Sequence, residues 1–473
     1  MNPSRSLSLA MCVAPFARVV LFAATTAASL TLAVVARADG TDLAGLAGLA
    51  GLAGATGGTS GTSGTSVAGA VRGSSDADTA HLDPRRYELA GFPIVGGSSD
   101  IGVQFGAAAT WTHFYDRAFP YLWNIDLLLS ASVKDDTAGF RMVQQSHVLR
   151  LDAPGLFDGK GRLDARASFQ RTINAGYYGL GNASAALVPP GQPNIGRTYQ
   201  YIQDEGRLRT IVRVHDLLPA PWDFAFGTNL RYEAPSAYPG SQLANDLAAH
   251  ESDGSPYLTG ASSMLLASAS AGLMVDTRDS EFVTRRGIFY QLGVSATVGS
   301  EDLASFAEAA AVLSHYAPLG KIFVFANRVV ASFQMGRVPF YDMAQGGVFE
   351  PQYLLGGENG VRGVPMGRYA GRIKAIQNTE IRGTPFPRFT VLGQRIRIGT
   401  TVFFDAGRVW SDYRVTSALD GTSLGLKYGV GGGLFLQWGE AAIFRLEAAY
   451  SPDAESENPG FPLGIYVSDG VMF

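Results

Sequence analysis

The sequence predicts an all-β protein that closes into an antiparallel β-barrel across a membrane. Three observations predict this fold: segments of about ten residues in which apolar and polar residues alternate, turn residues between these segments, and no apolar run after residue 85 long enough for a membrane helix. Charged residues make up only 16% of the chain, and glycine is abundant at 58 residues. A single glycine-rich β unit therefore fits the composition better than several soluble domains.

The first 38 residues predict a secretory signal peptide. Positively charged residues come first, an apolar run over 19–35 follows, and Ala36 and Ala38 stand just before Asp39. The alternative is a retained membrane helix, but the run is shorter than the roughly 20 residues that a span needs. Cleavage after Ala38 is therefore favoured.

The single cysteine, Cys12, lies inside this predicted signal and ahead of its apolar run. That position disfavours a lipoprotein and leaves the mature chain without a cysteine for a disulfide, a thiolate zinc site or a nucleophile. Removing the three arginines of the signal takes the formal net charge from −4 to −7. The chain has no excess of basic residues, so its composition does not indicate nucleic acid as a partner.

Residues 39–84 predict a flexible linker. The triplet Leu-Ala-Gly recurs over 43–54, and Gly-Thr-Ser recurs over 58–66. Such tracts bury too little apolar surface to offset the chain entropy that is lost on ordering. A short amphipathic helix over the first tract is the alternative, and a glycine at every third position disfavours it.

Residues 85–473 predict the barrel. Over 162–170 and 222–232, apolar and polar residues alternate and so lie on opposite faces of a strand; Arg207, Arg209 and Arg213 likewise share one face. A soluble β-sandwich also alternates, but many charges on one face of long strands favour a barrel with a wet lumen. The sheet must close, because an open edge in lipid leaves backbone groups unpaired.

Counting such segments predicts sixteen strands. Ten lie before residue 335, five follow residue 372, and a weaker one covers Tyr87–Val95. Single-chain bacterial barrels favour an even number of strands, which agrees with sixteen. A long connection, from 334 to about 372, then falls between strands 11 and 12, and connections beyond about 15 residues are uncommon unless functional.

The last predicted strand ends in an aromatic residue. Its apolar residues share one alternating register: Leu463, Ile465, Val467, Val471 and Phe473. A terminal Phe473 on such a strand resembles the targeting signal that the barrel assembly machinery reads, which makes that machinery the expected partner for insertion of this chain. An ordinary final strand is the alternative.

Three segments around the long connection carry the most specific pattern. Its middle reads Gly-Gly-Glu-Asn-Gly-Val-Arg-Gly-Val over 356–364, the next strand contains Gln-Asn-Thr-Glu over 377–380, and Phe-Phe-Asp-Ala-Gly follows over 403–407. In this order and spacing they resemble the C-terminal barrel of the BamA/TamA superfamily, also called the bacterial surface antigen family. The resemblance is strongest over 335–473.

Members of that family have a sixteen-stranded barrel whose sixth extracellular loop folds back into the lumen with an Arg-Gly tip. The residues here that match the loop tip, an acidic position on the next strand, and a Phe-x-Asp-x-Gly strand are Val361, Arg362, Gly363, Glu380, Phe403, Asp405 and Gly407. The resemblance implies that this loop is latched inside the barrel.

Residue chemistry agrees with that implication. Alternation places Asp405 on the lumen face, where it can accept a bidentate hydrogen bond from Arg362, and Glu380 can supply a second carboxylate. Gly363 allows a tight tip, and Gly407 leaves room for an approaching backbone. A partly screened pair of this kind contributes about 1–3 kcal/mol, so the latch could be reversible.

Two departures limit what the resemblance implies. Family members usually carry an aromatic residue after Arg-Gly, where this chain has Val364. BamA and TamA also carry periplasmic POTRA domains, and 39–84 is too short and too repetitive to hold one. Two upstream segments, 92–97 and 177–182, are similar to short members that lack POTRA domains.

The resemblance implies an outer-membrane protein that takes part in protein insertion, translocation or outer-membrane biogenesis. Its expected partners are outer-membrane lipid and protein clients, and no covalent step or cofactor is implied. The alternative is a passive pore or structural barrel that its Arg-Gly loop plugs.

Enzyme motifs are not found. The six histidines show no spacing typical of a metal-binding helix, and no nucleophile elbow, Walker loop or dinucleotide fingerprint occurs in an appropriate strand-to-helix context. Short acidic turns such as Asp135-Asp136 are typical of solvated hairpins. We therefore expect no enzyme activity, no metal and no cofactor.

Overall fold

The computed structural model describes residues 85–98, 100–115, 121–136, 139–184, 197–281, 283–301, 304–391, 394–413, 418–438, 442–456, 461–469 and 473. The predicted signal peptide, with Ala36, Ala38 and Asp39, and the predicted linker lie outside these residues and stay predictions. Within the described ranges, no helix has the length and apolar character needed to cross a membrane.

The described strands form one closed antiparallel barrel of 16 strands, as predicted. They are β1 (Tyr87–Ser98), β2 (Gly102–His113), β3 (Trp123–Asp136), β4 (Gly139–Gly155), β5 (Gly161–Gly176), β6 (Gln200–Val214), β7 (Trp222–Ala237), β8 (Met264–Asp276), β9 (Gly287–Gly299), β10 (Ser305–Leu319), β11 (Phe323–Arg337), β12 (Ile373–Gly383), β13 (Gln394–Trp410), β14 (Lys427–Trp438), β15 (Ala442–Tyr450) and β16 (Leu463–Asp469). The weakly predicted first segment is a full strand, β1.

Shorter elements complete the described chain. They are the strands Gln345–Gly346, Gln352–Tyr353 and Phe389–Val391, the helices α1 (Leu156–Gly159) and α2 (Gln242–Ala248), and the 3-10 turns Ala418–Asp420 and Pro452–Ser456. Phe389–Val391 pairs with the start of β13, on the side of the barrel where short turns join the strands. Short turns face the periplasm in outer-membrane barrels and longer loops face the exterior, which orients the molecule.

Each strand pairs with its neighbour in sequence, and β16 returns to β1 to close the sheet. Outward residues are apolar and exposed: Val402 and Phe404 of β13 are 57% and 51% exposed. The residues between them on the other face, Phe403 and Asp405, are buried. This is the alternation that the sequence predicts, with apolar side chains toward lipid and polar ones toward the lumen.

The connection from β11 to β12, residues 338–372, is largely buried. Its first half contributes Phe340 and Tyr341 to an apolar cluster with residues of β6, β8 and β10. Its second half contributes Leu354 and Tyr369 to another cluster with residues of β11, β12 and β13. The connection therefore packs against walls on both sides of the barrel.

Candidate functional site

Arg362, at the tip of the β11–β12 connection, is the centre of the candidate site. Its side chain is fully buried among charged residues of the barrel wall. The turn that presents it requires Gly363, because that residue has φ +89° and a Cβ there would lie 2.9 Å from the Cβ of Ser451. The sequence thus places a rigid turn directly beside the arginine.

Asp405 of β13 receives a two-pronged hydrogen bond from this arginine. Arg362 Nε donates to Oδ2 at 2.8 Å and Nη2 donates to Oδ1 at 3.1 Å. The backbone N–H of Arg362 also donates to Oδ2, at 3.2 Å. The contact predicted from the two motifs is present, and its bidentate geometry fixes the guanidinium plane.

Two further carboxylates bind the remaining end of the guanidinium. Arg362 Nη1 lies 2.7 Å from Glu380 Oε1 on β12 and 3.0 Å from Glu447 Oε1 on β15. Glu380 is where the sequence placed it, but Glu447 was not predicted. Its inward face could be predicted, because Glu447 alternates with the lipid-facing Leu446, but nothing local selects it from the other inward residues of β15.

The three carboxylates have a matching set of arginines. Arg382 Nε lies 2.7 Å from Glu380 Oε2, and Arg445 Nη1 lies 3.4 Å from Glu447 Oε2. With Arg362, these residues place three positive charges beside three negative ones in a buried volume, and buried Arg328 adds a further positive charge that acts on Asp405 and Arg362 through space. The expectation of a partly screened pair is therefore wrong: burial means that removing one partner leaves an uncompensated charge.

Phe403 lies directly under the guanidinium, with the Arg362 Cζ atom 3.4 Å from the ring centroid. This stacking adds a cation–π contribution in a desolvated position. The position after Arg-Gly, Val364, is fully buried in the apolar cluster of the connection with Val361 and Tyr369. An aliphatic residue therefore packs where family members carry a ring.

Two glycines leave room for an approaching backbone, Gly407 as the sequence indicated and Gly429 in addition. A Cβ at Gly407 would meet Ile376 Cγ2 at 2.7 Å and the Ala375 carbonyl at 2.9 Å, both on β12 rather than on the loop. A Cβ at Gly429 would lie 1.7 Å from the carbonyl oxygen of Arg362. Gly407 thus permits close strand packing, whereas Gly429 of β14 makes room for the tip.

The tip also contacts the last strand. The Gly363 N–H donates to Tyr466 Oη on β16 at 2.9 Å, and Tyr466 is paired with Ser98 of β1. The site therefore reaches the place where the barrel closes. Sequence reasoning placed β16 but did not select Tyr466, whose face follows from the exposure of its neighbour Ile465.

Phe473 does not share the outward register of the last strand. Strand β16 ends at Asp469, and the Phe473 ring centroid lies 4.9 Å from Arg382 Cζ and 5.1 Å from Arg328 Cζ, both lumen-facing residues. Its carbonyl oxygen also accepts from Arg382 Nη2 at 3.0 Å. The predicted alternation is wrong at this residue because two guanidinium groups hold the ring; its targeting role stays a prediction.

A second set of contacts holds the first half of the connection to the opposite wall. Asp342 accepts from Arg231 Nη2 of β7 at 2.6 Å, and the Phe349 carbonyl accepts from Arg209 Nη1 of β6 at 2.9 Å. On the exterior side, the Gly181 N–H donates to the Ala370 carbonyl at 2.8 Å. The connection is therefore fixed at several places, of which the sequence indicated the Arg362 contact.

A closed sixteen-stranded barrel with lipid-facing apolar residues and a buried Arg362–Asp405 contact defines the class: an outer-membrane β-barrel with a latched loop. A model of the Omp85 superfamily domain matches residues 157–465. The chain belongs to the Omp85 superfamily, which confirms the resemblance read from its motifs. No curated protein matches the sequence.

Solved structures with a similar fold include BamA from Haemophilus ducreyi lacking POTRA domains 1-3, at 16% identity and a TM-score of 0.49, covering 82% of this chain and 70% of that one. CdiB from Escherichia coli matches at 14% identity and a TM-score of 0.49, covering 82% of this chain and 63% of that one. CdiB from Acinetobacter baumannii matches at 12% identity and a TM-score of 0.47, covering 82% of this chain and 60% of that one. The chain thus spans less than two thirds of either CdiB structure.

Proposed function

We propose that this barrel inserts or translocates proteins at the outer membrane, and that it acts at the seam between β1 and β16. The observation that carries the proposal is the pairing of β1. This strand pairs with β2 along its whole length, from Tyr87 to Ser98. Among the described residues, its pairing with β16 is restricted to Gly97 with Val467 and Ser98 with Tyr466.

A short seam is a physical basis for work on a client strand. Each hydrogen bond of a ladder contributes about 0.5–1.5 kcal/mol net, so the two residue pairs between described residues of the seam are far easier to separate than a full-length ladder. Separated edges expose rows of N–H and C=O groups, which can pair with an incoming strand. In lipid such pairing is strongly favoured, because unpaired backbone groups have no water to bind.

The latch site supports a coupling to this seam. Tyr466 both pairs across the seam and accepts the hydrogen bond from Gly363, and Glu447 on the adjacent strand binds Arg362. Opening the seam would therefore act on the loop tip through its contacts with Tyr466 of β16 and Glu447 of β15. No bond in a client is made or broken in this scheme, so the proposed role is not enzymatic and needs no cofactor.

A reversible lock tests the proposal. Ser98 and Tyr466 are directly paired, and side chains of such residues approach closely enough for a disulfide. The Ser98→Cys/Tyr466→Cys double variant, in liposomes with an unfolded outer-membrane barrel as client, should lose insertion when oxidised and recover it on reduction. The reduced form controls for the lost tyrosine.

A second disulfide serves as a matched control away from the seam. Ser146 of β4 and Gln170 of β5 are also directly paired, but within a long ladder. The Ser146→Cys/Gln170→Cys variant should insert the client equally well in both redox states. Equal activity of the oxidised and reduced seam variants would rule out seam opening as the mechanism.

A plugged pore or structural barrel is the second candidate, and the double anchoring of the connection favours it. The Arg231–Asp342 pair and the Arg362 cluster hold the connection against opposite walls. Planar-bilayer recording separates the candidates. Arg362→Ala should raise conductance if the connection is a plug, whereas unchanged conductance with lost client insertion supports the assembly role.

A further inference from the structure

Three arginines form a row across the inner wall of the barrel, away from the latch. Arg150 of β4 is directly opposite Arg166 of β5, which is directly opposite Arg209 of β6. Their outward neighbours Leu149 and Leu208 are half exposed toward lipid, so the arginines face the lumen. Like charges that are directly opposed across strands repel, so the row needs negative charge nearby.

Carboxylates of the wall supply part of that charge. Asp164 accepts from Arg150 Nε at 2.6 Å and lies 3.8 Å from Arg209 Nη2. Asp126 lies 3.9 Å from Arg150 Nη1. Two wall carboxylates thus lie within 3.9 Å of the outer two guanidinium groups. Asp152, which Arg162 binds, and Glu350 of the connection add negative charge at longer range.

Buried donors without an acceptor lie along this row. They are Arg150 Nη1, Arg166 Nε and Arg209 Nε, and the facing oxygens Asp126 Oδ2 and Asp164 Oδ1 likewise lack a donor in the described structure. Arg166 itself forms no hydrogen bond or ion pair with a described residue; Asp164 of the wall and, more weakly, Glu350 of the connection act on it through space. A buried N–H that lost its water without gaining an acceptor is costly. Arg150 and Arg209 have a carboxylate oxygen within 3.9 Å, so the donor that most needs a further acceptor is Arg166 Nε.

We propose that this row binds a small oxyanion of the phosphate class in the barrel lumen. A tetrahedral oxyanion offers several acceptor atoms to guanidinium donors on neighbouring strands, and it adds negative charge beside three directly opposed arginines. Arg166 is the central residue, and its side chain is partly exposed, so solvent reaches the site. The proposal does not depend on insertion activity at the seam.

Equilibrium dialysis of the full chain, folded in phosphate-free detergent, tests the proposal with radiolabelled inorganic phosphate. We expect saturable binding of a single phosphate that sulfate displaces and chloride displaces poorly. Arg166→Gln should weaken binding by about tenfold or more, since a hydrogen bond to a charged group is lost. Arg171→Gln is the matched control: this exposed arginine lies on the same strand, 3.3 Å from Asp204, and should bind phosphate like the unaltered protein.

Thermal unfolding gives a second readout whose sign separates a binding role from a structural one. Without phosphate, Arg166→Gln should raise the unfolding temperature because it removes a repelling charge. With phosphate, the unaltered barrel should gain stability by mass action and the variant should not. Absence of saturable binding, equal weakening in Arg171→Gln, or a lower unfolding temperature of Arg166→Gln without phosphate would overturn the proposal.

Discussion

Replacing Arg362 by alanine should destabilise the folded barrel more than replacing any exposed arginine. The substitution leaves Asp405, Glu380 and Glu447 with side chains that are 0%, 3% and 1% exposed and without their shared cation. Breaking a buried ion pair by removing one partner costs about 3–5 kcal/mol. Loss of the ring contact with Phe403 adds to this cost.

The matched comparison is Arg171→Ala. Arg171 also binds one aspartate, Asp204 at 3.3 Å, but both side chains are substantially exposed, at 47% and 30%. Such a pair contributes about 0.2–1 kcal/mol. Urea unfolding of the liposome-folded barrel, followed by heat-modifiable gel mobility, measures both changes.

The double variant with Asp405→Ala tests whether the two residues act together. Removing both charges should cost less than the sum of the single substitutions, because neither is left buried without its partner. A loss of under about 1 kcal/mol for Arg362→Ala, no larger than the loss for Arg171→Ala, would refute the argument from burial.

Three further predictions follow from the same contacts. Gly429→Ala should displace the loop tip, since its Cβ would lie 1.7 Å from the Arg362 carbonyl oxygen; increased protease cleavage of the connection, with unchanged barrel mobility, measures this. Asp342→Ala should cost about 3 kcal/mol or more in urea unfolding, because it removes the acceptor 2.6 Å from buried Arg231; a cost equal to that of an exposed aspartate would contradict it. Mass spectrometry of the mature protein should find an N-terminus at Asp39, and an uncleaved chain would refute the predicted signal.

The strands could be predicted because their pattern is local. A half-buried strand shows itself through every second residue, and the lipid-facing and lumen-facing sets of β5 and β7 follow from the sequence alone. The same parity placed Phe403 and Asp405 on the inner face of β13, and both are buried there. Arg362 and Gly363 were accessible for a similar reason, since a tight turn and its charged residue are adjacent in the chain.

Partners on distant strands were not accessible in this way. Glu447 and Tyr466 have no local feature that separates them from other inward residues of β15 and β16. They become part of the site because the barrel closes and the loop tip contacts both of them. The same holds for glycine: Gly407 stands in a recognisable motif, whereas the tip requires Gly429, one of several glycines in its strand.

The sequence by itself determined the barrel, its strand number, the latch arginine and two of its three carboxylates, because alternation and short motifs depend on residues close in the chain. The tertiary structure alone decided which walls the connection touches, how completely the charges are buried and which described residues of β1 and β16 pair. Those properties depend on the closure of the sheet, which brings residues into contact that lie tens to hundreds of positions apart.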